Sequence, residues 1–366
     1  MKIILFIILF LHGAIHLLGF LKAFGISEIG PLSAEISRPM GLVWLLVTVL
    51  FLVAGILSLL NVSWWIHPAL IAVMLSSFLM VFFWADTKYG MIPNLIILSA
   101  VILAYSSDSF YKKIARETSE ILATINLSEQ TLVSEDDLKN LPAPVSKWMH
   151  ITGIMGKPKI KSGRIVQHAL MKMKQDQKDW YHAAALQYTT TEEPAFIWTV
   201  NLNMMPGIHI KGRDKFENGT GEMLIKMNSL VKIVDEKGEK INEGSLQRFL
   251  GESVWFPSLA LSPYIKWKII DNYSAKATMT YKGTSGSGVF YYNEQGDFVK
   301  FIAMRYQGNK PDSKTYPWVL TVDEYSVFEG IKVPSRMKAT WELETGSWTW
   351  LDLEIKDIQY NVHGMD

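Results

Sequence analysis

The chain contains no cysteine. Disulfide scaffolds, thiolate nucleophiles, iron–sulfur clusters and cysteine-based zinc sites are therefore excluded together, although the redox compartment stays open. An excess of charge of either sign is missing as well: 36 Lys and Arg stand against 35 Asp and Glu, a net charge of +1. Without a basic surface to neutralise phosphates, no nucleic acid partner is expected. Solenoid-type repeats and low-complexity tracts are lacking too, and 49% hydrophobic against 19% charged residues excludes a disordered chain. At roughly 100 to 200 residues per domain, 366 residues imply two or three domains.

Charge is scarcest at the start. Residues 1–110 hold four basic side chains (Lys2, Lys22, Arg38, Lys88) and four acidic ones (Glu28, Glu35, Asp86, Asp108), while 32 basic and 31 acidic side chains fall beyond them. A hydrocarbon core of about 30 Å needs about 20 apolar residues in a helix, and residues 41–60 supply them without a charge. Residues 64–84 form a second span with tryptophan at both ends, where rings prefer the headgroup boundary. Residues 3–20 and 91–107 are weaker spans, because the first carries His12 and His16 and the second Pro93 and Asn94. The expectation is a four-helix transmembrane domain over 1–110, with the lipid bilayer as its partner. Lys2 before an apolar run also fits a cleaved signal peptide, but the run continues through Ile15, Leu17, Leu18 and Phe20, which favours a retained helix. An even number of spans puts the N-terminus and the C-terminal region on one side. Lys2, Lys112, Lys113 and Arg116 against Lys22, Arg38 and Lys88 do not decide which side that is.

Residues 111–141 are polar and helical in pattern, and Pro142 and Pro144 mark a linker before a short helix at 144–154. The periodicity then changes to two: Phe196, Trp198, Val200, Leu202 and Met204 alternate with Thr199, Asn201 and Asn203, as half-buried strands do. Similar strands are expected at 165–174, 180–190, 209–216, 223–234, 275–282, 289–292, 298–307, 319–327, 337–343 and 348–360. Turn residues such as Asn218-Gly219, Lys237-Gly238 and Gln295-Gly296 separate several of them. The predicted class is thus an α + β membrane protein, with a mainly antiparallel, strongly curved sheet over 142–366 and one short helix at 243–255.

Several runs resemble a bacterial family in which four membrane helices are fused to a soluble β-domain. They are His12-Gly13-Ala14-Ile15-His16, Ser37-Arg38-Pro39-Met40-Gly41, Trp84-Ala85-Asp86-Thr87-Lys88-Tyr89-Gly90, Gly212-Arg213-Asp214, Met304-Arg305-Tyr306 and Gly330-Ile331-Lys332-Val333-Pro334. The most specific is Arg248-Phe249-Leu250-Gly251-Glu252-Ser253-Val254-Trp255-Phe256-Pro257. The β-domain of such proteins is similar to the LolA-like lipoprotein-localisation half-barrels, open curved sheets whose concave face holds acyl chains. That resemblance implies handling of a lipid or lipoprotein ligand in a bacterial cytoplasmic (inner) membrane protein, and it transfers no activity residue by residue.

Composition points the same way. Met171, Met173, Met204, Met205, Met223, Met227, Met279, Met304 and Met337 fall on or beside expected strands, and flexible thioethers suit surfaces that accept variable apolar partners. Filling gaps in an ordinary core is the plainer account of them. Trp198, Trp255, Trp267, Trp318, Trp341, Trp348 and Trp350 add large rings with a polar handle, for a cleft or for packing. Arg248 and Glu252, spaced i, i+4, pair with each other or with Asp214 and Arg305, either to orient a headgroup or to fix the helix to the sheet. The candidate ligand-binding set is Trp198, Met204, Met223, Met279, Arg248, Glu252, Trp255, Arg305 and Trp341.

His12 and His16 also share a helix face, and ionisable groups within a membrane are functional hypotheses by default. Metal binding, a proton relay and interhelical hydrogen bonding compete for them. Further ligands are scarce, and Gly13 stands where a His-Glu-x-x-His motif needs glutamate, so no metal or other cofactor is expected. Gly283-Thr284-Ser285-Gly286-Ser287-Gly288 opens no helix and is expected as a hairpin turn rather than a phosphate loop. Asp271, Asp297, Asp323 and Asp352 fall on different turns and strands, without a spacing that commits two carboxylates to acid–base work. A non-enzymatic amphiphile-binding protein is favoured, for transport or sensing; the alternative is an integral-membrane enzyme or small transporter using His12, His16, Asp86 and Asn94. Oligomeric state leaves no signature.

Overall fold

In the computed structural model, residues 2–30, 32–128 and 130–365 are described. The chain forms two compact units, Met1–Tyr111 and Lys112–Asp366.

The first unit contains α1 (Lys2–Ala23), α2 (Arg38–Leu59), α3 (Ile66–Phe82), the single turn α4 (Trp84–Thr87) and the first part of α5 (Met91–Leu122). Prolines mark the starts: Pro39, Pro68 and Pro93 all sit in first turns, where the missing N–H costs nothing. Close packing of α1 on α2 depends on glycine. A Cβ on Gly19 would lie 2.2 Å from Trp44 Cδ2, so only glycine lets the indole approach. Trp44, Val47, Phe51 and Leu9 form the interior, while Ile3, Leu11, Leu42, Ile56, Met74 and Val81 point outward uncovered. Helices apolar on all sides suit lipid better than water. Among the described residues, four helices are long and apolar enough to cross a membrane, at Lys2–Ala23, Arg38–Leu59, Ser63–Phe82 and Trp84–Leu122.

The expected helical linker over 111–141 is only partly helical. Helix α5 runs unbroken to Leu122, and the chain then passes through an isolated bridge between Leu132 and Pro158 and one turn, α6 (Glu135–Leu138). A capping box at Ser134 and Asp137 starts α6, and α7 (Ala143–Thr152) ends at Gly153 in the left-handed conformation.

Thirteen strands follow: β1 (Ser162–Met171), β2 (Tyr181–Thr190), β3 (Ala195–Met205), β4 (Ile208–Glu217), β5 (Thr220–Met227), β6 (Val231–Lys237), β7 (Ile265–Asp271), β8 (Ser274–Tyr281), β9 (Thr284–Tyr292), β10 (Phe298–Tyr306), β11 (Thr315–Phe328), β12 (Ile331–Leu343) and β13 (Gly346–Tyr360). All belong to one antiparallel sheet, a curled half-barrel in the order β6-β5-β4-β3-β2-β1-β13-β12-β11-β10-β9-β8-β7. Two meanders meet where β1 pairs with β13, so the edge strands β6 and β7 are consecutive in sequence. Their connection carries α8 (Glu239–Gly251) and two 3-10 segments, Glu252–Trp255 and Pro257–Leu261, across the inner face.

Three expectations need correction. Residues 223–234 are not one strand: Asn228 and Ser229 adopt positive φ (50° and 59°) and turn β5 into β6, since a short polar side chain tolerates that conformation. Gly283–Gly288 is not a long hairpin turn, because only Lys282 and Gly283 turn and Thr284 onward belongs to β9. Its glycines serve close approach instead. A Cβ on Gly286 would meet Gln247 Cγ of α8 at 2.8 Å. The expected helix over 243–255 starts four residues earlier and tightens to 3-10 geometry after Gly251, and β7, outside the expected strands, is a largely exposed edge strand with the alternation Ile265-Lys266-Trp267-Lys268-Ile269.

On the sheet face away from α8, Arg213 of β4 is 1% exposed and is held by Glu117 of α5, at 3.3 Å, and by Glu222 of β5, at 2.9 Å. Ile121 and Leu122 pack beside it on Tyr188 and Ile197. Burial alone would raise the Glu222 carboxyl, but hydrogen bonds from Lys237 and Arg213 outweigh it and hold the group down at about 2. A carboxylate depressed on folding stabilises above its unfolded value and loses that contribution as pH falls. Thermal unfolding of the full chain in detergent should show a falling midpoint between about pH 4.5 and about pH 2. Glu222→Gln should flatten that acid limb; an unchanged slope would refute the assignment.

Candidate functional site

Helix α8 lies against the inner face because small residues admit it from both sides. A Cβ on Gly221 of β5 would fall 2.5 Å from Ser245 Oγ, as one on Gly286 of β9 would crowd Gln247. Gln247 Nε2 donates to Met304 O at 2.9 Å, tying the helix to β10.

Arg248 is the central contact. Its Nε donates to Glu252 Oε1 at 2.7 Å, Nη1 to Asp214 Oδ2 at 2.8 Å and Nη2 to Gln187 Oε1 at 3.2 Å. Gln187 Nε2 in turn donates to Glu252 Oε2 at 2.8 Å. The guanidinium also lies over the rings of Phe196 and Trp198, at 4.9 and 4.8 Å. Burial raises the Asp214 carboxyl above its ordinary value, against the pull of Arg248, Arg305 and Arg213.

Sheet register assembles the rest. Gln187, Trp198, Asp214 and Met223 are directly opposite one another across β2, β3, β4 and β5, forming one continuous row. Trp318, Trp341 and Trp348 form a second row across β11, β12 and β13. Directly opposed side chains are the closest neighbours a sheet offers, so each row makes a continuous wall. Between the walls is a cavity of about 270 Å³, with Leu320, Ala339 and Leu351 as a third, aliphatic row. Arg305 of β10 also lines it, 4.2 Å from the Trp318 ring centre and 5.8 Å from that of Trp341. Burial and the like charge of Arg248 push Arg305 down to about 10.

Of the sequence-based set, Trp198, Met223, Arg248, Glu252, Trp255, Arg305 and Trp341 all line this cavity. Met204 and Met279 do not: Met279 is fully buried in the core, and Met204 packs against that core from a partly buried position. Gln167, Trp318, Trp348 and Trp350 line the cavity without having been in the set. The three tryptophans are conspicuous in the sequence, but only the register brings them together. Trp198 and Trp255 place their indole N–H groups on Gln167 Oε1 (2.8 Å) and Pro334 O (3.1 Å).

The polar residues of the first unit separate into two places. His12 Nε2 lies 2.9 Å from Asn94 Oδ1, Asn94 Nδ2 donates to Ser76 Oγ at 2.9 Å, and His16 Nδ1 lies 2.9 Å from His12 O. Asp86 is elsewhere, accepting from Ser33 N and Ala34 N at 2.7 and 3.1 Å, so it does not join the histidines. No cluster of three metal-ligating side chains occurs among the described residues.

Removing the Arg248 charge leaves Asp214 and Glu252 facing each other in a half-buried wall. Arg248→Met should therefore cost about 3–5 kcal/mol of stability. Arg248→Lys, which keeps the charge but not the fork, should lose less. Chemical unfolding followed by tryptophan fluorescence checks both, and equal losses would contradict the forked contact.

Residues 131–353, more than half of the chain, match the family described as "Family of unknown function (DUF6544)", and the chain belongs to that family. No curated protein matches. Among solved structures, the LolA superfamily protein NE2245 from Nitrosomonas europaea is similar over 60% of this chain and 92% of its own, at 11% identity and a TM-score of 0.32.

Proposed function

We propose that this family member is a non-enzymatic binding protein, held in a membrane by its four apolar helices, whose curled sheet takes a lipid, an acyl chain or another amphiphile into the cavity beneath α8. The observation that carries this reading is the composition of that cavity: six tryptophans and an aliphatic row form its walls, and four of its five charged groups, Asp214, Arg248, Glu252 and Arg305, gather beside α8, while the fifth, Lys338, pairs with Asp323. An apolar chamber with a few convergent polar groups is the usual form of a small-molecule site. Its volume of about 270 Å³ is near the lower end of the usual range, which suits one chain or part of one rather than a whole two-chain lipid. Carriage or sensing needs a pocket and an opening, and no bond has to break.

A photoactivatable fatty acid bearing a diazirine tests this in the full chain reconstituted into nanodiscs. Adducts are expected on peptides from β3, β12 and β13. Ala339→Phe projects a ring into the chamber at an estimated stability cost of about 1–3 kcal/mol and should abolish those adducts. Trp348→Ala enlarges the chamber and should shift labelling toward longer chains. Adducts confined to residues 1–110, unchanged by either substitution, would overturn the proposal.

A further inference from the structure

The cavity wall is uneven in its hydrogen bonding. Its two carboxylates, Asp214 and Glu252, both accept from Arg248. Arg305 makes no hydrogen bond or ion pair through its guanidinium with any described residue, and its buried Nε has no acceptor. Gly244 of α8 gives it room, since a Cβ there would lie 3.1 Å from Nη2. The other buried and unpartnered polar atoms of the lining are Gln167 Nε2 and the indole nitrogens of Trp318, Trp348 and Trp350. Every one of these is a donor. Gln167 and Trp318 are themselves 1% and 3% exposed, so solvent does not substitute for the missing acceptors.

A guanidinium stacked on one tryptophan and unpaired in a half-buried wall is costly, and a wall with spare donors alone has no use for a cation. Glu243, half-buried in α8, is a further carboxylate that acts on Arg305, and its Oε1 accepts from Gln247 Nε2 at 3.4 Å instead. We infer that the cavity selects single-chain amphiphiles ending in an anionic oxygen group, a carboxylate or a phosphate, and that Arg305 binds that group while the chain lies along the tryptophan row. This rests on the amphiphile reading above and adds the chemistry of the headgroup. Arg248 then has a different part, since its donors are already taken and it positions the wall.

Competition against the diazirine fatty acid in nanodiscs separates the two levels. Octanoate, octyl phosphate, octanol and octylamine share one tail and differ in the headgroup. A charge-assisted contact to Arg305 should make octanoate or octyl phosphate compete about tenfold or more better than octanol, with octylamine weakest. The better of the two anions identifies carboxylate or phosphate as the natural headgroup. Arg305→Gln should bring the anions to within about twofold of octanol, and Arg305→Lys should restore part of the preference. Trp318→Phe keeps the ring under the guanidinium, removes one donor and should give a smaller loss. Equal competition by octanol and the anions, with cavity labelling intact, would overturn the headgroup inference and leave the amphiphile reading standing. Absence of cavity labelling by any probe would overturn both.

Discussion

The ionic contact of Arg248 with Asp214, Glu252 and Gln187 is the constraint on which the sheet unit turns. Both edges of the sheet are joined by one connection, so α8 has to cross the inner face, and a helix on a curled sheet has no register of its own. Glycines at 221 and 286 allow the approach but do not direct it. The guanidinium supplies direction: three acceptors from β2, β4 and the turn after α8 fit one planar fork. Hydrophobic contact alone would let the helix slide along the trough. The same bonds consume both carboxylates of the cavity wall, so the group that seats the helix also leaves Arg305 as the uncommitted cation beside it.

Strand register converts a scattered composition into a chamber. Trp318 and Trp348 come from different strands, yet both are directly opposed to Trp341, because β11, β12 and β13 are long, consecutive and antiparallel. The row opposite is built the same way from β2 to β5 and ends in Met223, where an adaptable side chain borders the space. A one-residue slip in any of these pairings would turn the whole row to the other face, so the chamber inherits its precision from the sheet. Arg213, next to Asp214 and pointing to the opposite face, guards the register of β4 by pairing with Glu117 and Glu222 there.

Much of this was legible in the sequence. The alternation from Phe196 to Met204 identifies a half-buried strand, and the i, i+4 spacing of Arg248 and Glu252, with Asp214 named as a partner, anticipates the cluster that forms. What was not legible depends on pairing. Trp318, Trp348 and Trp350 stand out by composition, but composition does not say that they share a face with Trp341. Glycine carries two meanings, and Gly286, in a run whose glycines suggest a turn, is a gap left for a helix. Methionine has the same ambiguity: Met223 reaches the cavity while Met279, equally apolar in pattern, fills the core. In the first unit, polarity within apolar spans groups His12 with Asn94, 82 positions away, and the two do meet, whereas Asp86, grouped with them on the same ground, does not.

Both units leave some buried polar groups unpartnered, but the sheet unit gathers several of its own around one chamber, and that bears on the proposed function. Among the helices, His12, Asn94, Ser76 and Ser77 bond one another, while His16 Nε2 and Trp44 Nε1 are left without a partner. In the sheet unit several donors around the chamber have no protein acceptor, a cost that an ordinary core would remove by substituting apolar side chains. On the proposed reading that cost is the origin of selectivity, because a ligand supplying the acceptor recovers it and one lacking the acceptor does not. Attachment to apolar helices then relaxes the demand on affinity. On that same reading, amphiphiles concentrate in bilayers, and a site on the same chain as helices held in one would work at a high effective concentration of its ligand. A chamber of about 270 Å³ can therefore bind weakly, exchange quickly and still be occupied.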